Sequence, residues 1–216
     1  MKKLFLITAA LLLLASPALA AVRISEWAYA GTDGEFIEFT NYGPSTVDFN
    51  GWSFDDDSRT PGATDLSAFG VVAAGESVIL TEAAEADFRT AWGLDAAIKV
   101  IGSNATNLGR NDEINLFDGP DALLNLVDRL TFGDQNIPGS IRTQNVSGNP
   151  GSLAAIGVND VSQWVLSADA DSLGSHTSVN GDIGNPGVAP FYAAIPEPAT
   201  AAMAGLMLLG LAVRRR

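Results

Sequence analysis

Apolar and polar residues alternate in short runs through the middle of this chain. "VRISEWAY" (22–29), "GEFIEFT" (34–40), "TVDFNGWSF" (46–54), "SVILT" (77–81), "EINLFD" (113–118) and "LLNLVDRLTF" (123–132) are rich in β-branched and aromatic residues, and Gly, Asn, Asp and Pro separate them. Each reads as a strand. Ile37 and Phe39 share one parity and Glu38 and Thr40 the other; Leu124, Leu126, Leu130 and Phe132 share a face that also carries Asp128. One stretch follows the helical period instead. In "EAAEADFRTAWG", Ala84, Phe88, Ala91 and Trp92 fall at i, i+4, i+7 and i+8, and Gly93 ends the run. Many short strands with turn residues between them predict an all-β antiparallel sandwich or barrel carrying one short helix.

The two ends break this pattern with unbroken apolar runs. Lys2 and Lys3 precede an apolar stretch over 4–14, and Ala18-Leu19-Ala20 follows it, so residues 1–20 read as a secretory signal peptide helix cut between Ala20 and Ala21. Residues 199–213 are uncharged and apolar. As a helix they would reach only ~22 Å, short of the about 30 Å hydrocarbon core, and Gly205 and Gly210 weaken the helix further. Arg214, Arg215 and Arg216 follow at once, which favours a cytoplasmic end with Glu197 on the exported side. A marginal, temporary transmembrane helix is the expectation, with a permanent anchor as the alternative.

Charge narrows the function classes. Between residues 21 and 195 there are 24 Asp and Glu against 7 Lys and Arg, a net charge of −17. That excess excludes nucleic acid as a partner, because phosphates need Lys and Arg. Two readings of the acidity stand, a solvated surface that keeps an exported protein dispersed and divalent-cation binding. There is no cysteine, so disulfides, thiol catalysis and zinc thiolates are excluded.

Candidate chemistry is sparse. The one histidine, His176, lies in the polar, loop-like "DSLGSHTS" without a nucleophile elbow or a second histidine. Glu26, Glu35 and Glu38 sit on neighbouring predicted strands. Paired carboxylates can serve as acid and base in glycoside cleavage, but here hydrogen bonds or ion pairs that fix strand register, with Arg23 as a partner, are the expectation. Asp55 and Asp57 in "DDDS", and Asp169 and Asp171 in a second D-x-D run, offer loop oxygens of the kind Ca²⁺ takes, though neither run has the glycine and distal Glu of an EF-hand loop. No cofactor is expected, and Ca²⁺ is the candidate cation if one binds.

Two resemblances organise these observations. Pro196-Glu197-Pro198, the short apolar span over 199–213 and the arginine cluster 214–216 resemble the PEP-CTERM sorting signal of exopolysaccharide-producing Gram-negative bacteria. That resemblance implies an exosortase as processing partner, acting near the triplet. The order of strands resembles the lamin-tail domain, an immunoglobulin-like β-sandwich. The residues that carry it are Ile24-Ser25-Glu26, Gly34-Glu35-Phe36-Ile37-Glu38-Phe39 with Asn41, Val47-Asp48-Phe49 leading to Gly51-Trp52, Ala74-Gly75-Glu76, Phe88, Trp92-Gly93, and "LGRNDEINLFDGPDALLNLVDRLTFGD". "IGNPG" (183–187) is similar to the family's terminal turn. Residues 135–182, rich in Gly, Asn and Ser, read as long surface loops around one short strand at "QWVLS".

The predicted organisation is therefore a signal peptide over 1–20, a sandwich over 21–190 with a loop-rich C-terminal part, and a sorting segment over 194–216. The expected function is that of an exported, non-enzymatic surface or exopolysaccharide-matrix protein, inserted transiently in the inner membrane and then passed to the cell surface or matrix. Its sandwich would contact extracellular polysaccharide or other surface proteins. The alternatives are a calcium-dependent binding module and an accessory to, or degenerate form of, an extracellular hydrolase.

Overall fold

The computed structural model of the protein describes residues 22–192. The strands are β1 (Val22–Ala28), β2 (Phe36–Asn41), β3 (Val47–Asp48), β4 (Ser53–Asp55), β5 (Thr64–Asp65), β6 (Val71–Val72) and β7 (Ser77–Thr81). After helix α1 (Glu85–Trp92) come β8 (Lys99–Ile101), β9 (Asn111–Phe117), β10 (Leu126–Gly133), β11 (Gly148–Pro150), β12 (Trp164–Leu166), β13 (His176–Thr177) and β14 (Ile183–Gly184). They form a six-stranded sheet in the order β12-β11-β1-β2-β7-β8 and a four-stranded sheet in the order β10-β9-β4-β5, with β3–β6 and β13–β14 as separate pairs. Every pairing in the two sheets is antiparallel apart from β7 with β8.

The all-β sandwich is confirmed, and its core lies between the two sheets. Val22, Ile24, Trp27, Ile37, Phe39, Val78 and Leu80 of the larger sheet meet Phe54, Ile114, Leu116, Leu130 and Phe132 of the smaller one. Trp27 and Phe132 stack with ring centroids 3.9 Å apart. The larger sheet has a second covered face. There Ala28, Phe36, Ile79 and Val100 receive Phe88, Ala91 and Trp92 of α1. Glu85 and Asp87 occupy the helix's first turn, where the macrodipole favours acids, and Gly93 ends it in the left-handed conformation. Ala84 is the N-cap and exposed, so the predicted apolar stripe begins at Phe88.

Two bulges decide which side chains face which layer. Ile24 pairs with Phe39 while Glu26 pairs with Glu38, so Ser25 is an extra residue on β1. Without it Glu26 would share the core side with Ile24; the bulge turns Glu26 to the outer face beside Ala28. In β10 the register slips at Val127, which leaves Asp128, Leu130 and Phe132 together. Leu124 leaves the predicted shared face altogether and stands 84% exposed at the hairpin tip.

The predicted strand over 46–54 divides into β3 and β4. Trp52 N–H donates to the Phe49 carbonyl at 3.0 Å across a turn in which Gly51 takes φ +81°. Residues 135–182 also depart from the expectation of surface loops. β11 pairs with β1, β12 extends that sheet at the predicted "QWVLS" position, and Val161 and Trp164 enter the sandwich core. His176, expected in a loop, lies in β13 and pairs with Gly184.

Candidate functional site

The outer face of the six-stranded sheet is apolar under α1 and polar at its other end. The polar end carries Glu26, Glu38, Thr40 and Ser77, together with Ser147, Asn149 and Ser167 from the β11–β12 hairpin, all of them buried. A C-terminal strap over residues 183–187 closes it. The Asn185 backbone N–H donates to Glu26 Oε1 at 2.8 Å, and the Gly187 N–H donates to Glu38 Oε2. The strap lies tightly against the pair, for a Cβ added at Gly184 would stand 2.9 Å from Glu26 Oε1 and 3.0 Å from Ser147 Oγ.

Hydroxyl groups converge on both acids. Thr40 Oγ1 donates to Ser25 Oγ at 2.8 Å, and Ser25 Oγ donates to Glu38 Oε1 at 2.9 Å. Ser147 Oγ donates to Glu26 Oε1 and also contacts Ser167 Oγ at 2.7 Å. Glu26 Oε2 has no hydrogen-bond partner among the described residues. Glu26 and Glu38 are each 0% exposed. Burial raises the Glu26 carboxyl well above its ordinary range, with the Glu38 charge adding to the effect. Burial likewise pushes Glu38 up to about 7 against the pull of its donors.

The hydrogen bonds expected for Glu26 and Glu38 are present, most of them to the strap and the β11 segment, with one correction. Arg23 does not reach them. Its guanidinium stands 3.7 Å from Asp128 and donates to the Val127 carbonyl. Asp128 in turn accepts from the Ile24 N–H at 2.9 Å, so this cluster ties β1 to β10. Glu35 lies apart from the pair. Its Oε2 accepts from the Leu108 N–H at 2.6 Å, its Oε1 has no partner among the described residues, and burial lifts it to about 8.

These acids are enclosed, with Glu26 and Glu38 at 0% and Glu35 at 3% exposure. The open cleft of about 440 Å³ beside α1 is lined by Asp33, Glu82, Asp87 and Asn180, and not by Glu26, Glu38 or His176. His176 packs edge-to-face on Trp92, with ring centroids 5.6 Å apart.

Of the four aspartates proposed for a cation, Asp55, Asp169 and Asp171 accept hydrogen bonds from nearby residues, and Asp57 takes part through its backbone alone. Asp55 Oδ2 accepts from Ser58 Oγ at 2.6 Å and from the Thr60 N–H at 2.5 Å. Asp169 Oδ1 takes the Thr177 N–H at 3.1 Å, and Asp171 Oδ1 takes those of Leu173 and Ser175 at 2.9 and 3.0 Å. Asp57 donates its own N–H to Asp112 at 3.1 Å. Among the described residues, no three His, Cys, Asp or Glu side chains converge as a metal site.

Six of the seven Lys and Arg residues in the described part stand in ion pairs, among them Arg59 with Glu113 and Arg110 with Asp134, both at 2.6 Å. The remaining acidic excess faces solvent or the interior without a cation. Among the described residues no helix is long and apolar enough to cross a membrane. The predicted signal peptide with Ala18, Ala20 and Ala21, and the sorting segment with Pro196, Glu197, Pro198, Arg214, Arg215 and Arg216, lie outside the described residues.

A family model described as Lamin Tail Domain matches residues 15–134. No curated protein and no solved structure matches the chain. The match covers more than half of the sequence and takes in the strands from β1 to β10. The domain type is non-catalytic. By that match and by its two-sheet architecture, the chain belongs to the lamin-tail domain family of immunoglobulin-like β-sandwiches.

Proposed function

We propose that the protein is an exported, non-enzymatic component of the cell surface or exopolysaccharide matrix of a Gram-negative bacterium, sorted by an exosortase, with the sandwich as its interaction body. One observation carries the reading. A lamin-tail body stands between a Lys-Lys, apolar, Ala-Leu-Ala pattern over 1–20 and a Pro-Glu-Pro triplet at 196–198 that is followed by a short apolar span and three arginines. The span is short enough to hold the chain in the inner membrane only weakly, which suits a temporary stop before processing. Fold alone does not name the ligand. The net charge of the body favours a soluble, mutually repelling module that contacts neutral glycan or protein surfaces.

Among the described residues no group of three acidic or histidine side chains converges as a calcium-dependent module would need, so the adhesion reading is preferred. Cell fractionation tests the sorting step. The full chain is expected in the membrane and then in the surface or matrix fraction, and a variant lacking residues 196–216 is expected to pass into the soluble exported fraction. An unchanged distribution for the shortened variant would overturn the sorting role of the tail.

A further inference from the structure

Glu26 and Glu38 are direct cross-strand partners on one face of the sheet, which sets their Cβ atoms about 5 Å apart. Of their four carboxyl oxygens, three accept hydrogen bonds: Glu26 Oε1 from Ser147 and Asn185, Glu38 Oε1 from Ser25, and Glu38 Oε2 from Gly187. Glu26 Oε2 is left over, buried and without a donor. Two carboxylates here would place adjacent charges out of reach of water.

The charged and titratable groups on the surrounding elements bring no compensation. Tyr42, beyond β2, donates its hydroxyl to the Pro190 carbonyl at 2.9 Å. Asp182, at the head of the strap, is held by the Asp33 N–H and by Asn145. His176 lies on Trp92, Arg89 of α1 pairs with Glu85, Lys99 of β8 pairs with Glu76, and Arg23 pairs with Asp128.

We propose that Glu26 and Glu38 share a single proton, and that its loss releases residues 185–187 of the strap, making the pair a pH-operated clasp. The proton sits on Glu26 Oε2, where it turns the one oxygen without a donor into a donor. The single charge then rests on Glu38, at the end of the hydroxyl relay from Thr40 through Ser25 and under the Gly187 N–H. On ionisation the proton passes to water, and two like charges remain in an enclosed site. β1, β2 and β11 are held by their ladders, and Ile183 and Gly184 by their pairing with β13 and by the bonds between Ile183 and Asn145 and Ser147. The backbone N–H groups of Asn185 and Gly187, by contrast, are tied to the sheet through the two carboxyls, so residues 185–187 are the part that can lift to admit solvent. The clasp does not depend on the sorting reading above.

Hydrogen exchange followed by mass spectrometry on the full chain in detergent, from pH 6 to 9 and corrected for intrinsic rates, tests the clasp. Protection of a peptide covering 183–188 should fall about tenfold per pH unit above the transition, relative to one covering β9, because opening is linked to loss of one proton. In E26Q or E38Q that relative fall should disappear. A wild-type ratio between the two peptides that stays constant from pH 6 to 9 would overturn the proposal, even if neither variant folds. No exosortase is present in this experiment, so its outcome is separate from that of the sorting test.

Discussion

A chain ending at Asp134, where the family match stops, is expected not to fold, whereas residues 22–192 fold cooperatively. The missing segment supplies Val161 and Trp164 to the central core and packs Ile137 and Ile141 against it. Deleting one large buried aromatic side chain typically costs about 3–5 kcal/mol, a large share of the 5–15 kcal/mol by which domains are usually stable, on the order given for globular proteins. Truncation also strips β11 from β1, leaving that strand as a bare edge. It removes the Ser147, Asn185 and Gly187 donors as well, so Glu26 and Glu38 lose most of the hydrogen bonds that make their burial tolerable. Circular dichroism and amide NMR dispersion of the two fragments make the comparison. A dispersed, cooperatively melting 22–134 fragment would show that residues 135–192 are an accessory layer.

The second large effect is a loss of stability as pH rises from 5 to 8. Glu35 titrates at about 8 in the folded protein against an ordinary 4.5. Between those values the folded state keeps a proton that the unfolded chain has released. The stabilisation is therefore complete below the unfolded value and disappears as pH climbs through the folded one. At about 1.4 kcal/mol per pH unit, Glu35 alone accounts for roughly 3–4 kcal/mol across that window. The Glu26–Glu38 pair, whose burial keeps a proton that the unfolded chain has lost, and Asp128, raised to about 6, act in the same direction. Glu113 opposes them in acid. Its hydrogen bonds from Arg59 hold it down to about 2, so its contribution is present above the unfolded value and is lost as pH falls toward 2. Stability should thus peak at mildly acidic pH.

E35Q separates the contributions. Gln resembles the protonated acid, so the variant should match the wild type near pH 5 and exceed it by ~3 kcal/mol at pH 8, on the same per-unit scale. Urea midpoints at a series of pH values provide the measurement. A flat wild-type profile from pH 5 to 8 would refute the raised carboxyl values.

Much of the fold was legible because its signals are local. The alternation of Ile37 and Phe39 against Glu38 and Thr40 marks the two faces of β2, and the Phe88, Ala91, Trp92 stripe ending at Gly93 marks α1. The bulges at Ser25 and Val127 were not legible, since an extra residue changes parity without any signature in composition. Glu26 therefore reads as sharing the Ile24 side when it faces the other layer. The β11–β12 hairpin was hidden for a different reason. Gly148-Asn149-Pro150 has poor strand propensity and pairs because β1 offers it an edge, a tertiary effect no short window contains. The sequence places Glu26 and Glu38 on neighbouring strands as hydrogen-bonded residues, but it does not point to the donors. They come from Ser147, Asn185 and Gly187, far along the chain, with Arg23 drawn away to Asp128. "IGNPG" is the one local sign of that strap.

The most direct measurement is the intact mass of the protein recovered from its native host, with cell membranes and secreted matrix analysed separately. Sorting by the tail predicts a species that begins at Ala21 and ends near Pro196, with or without the mass of an acceptor. A membrane-bound species still ending in Arg214-Arg215-Arg216 would contradict it and make the tail a permanent anchor.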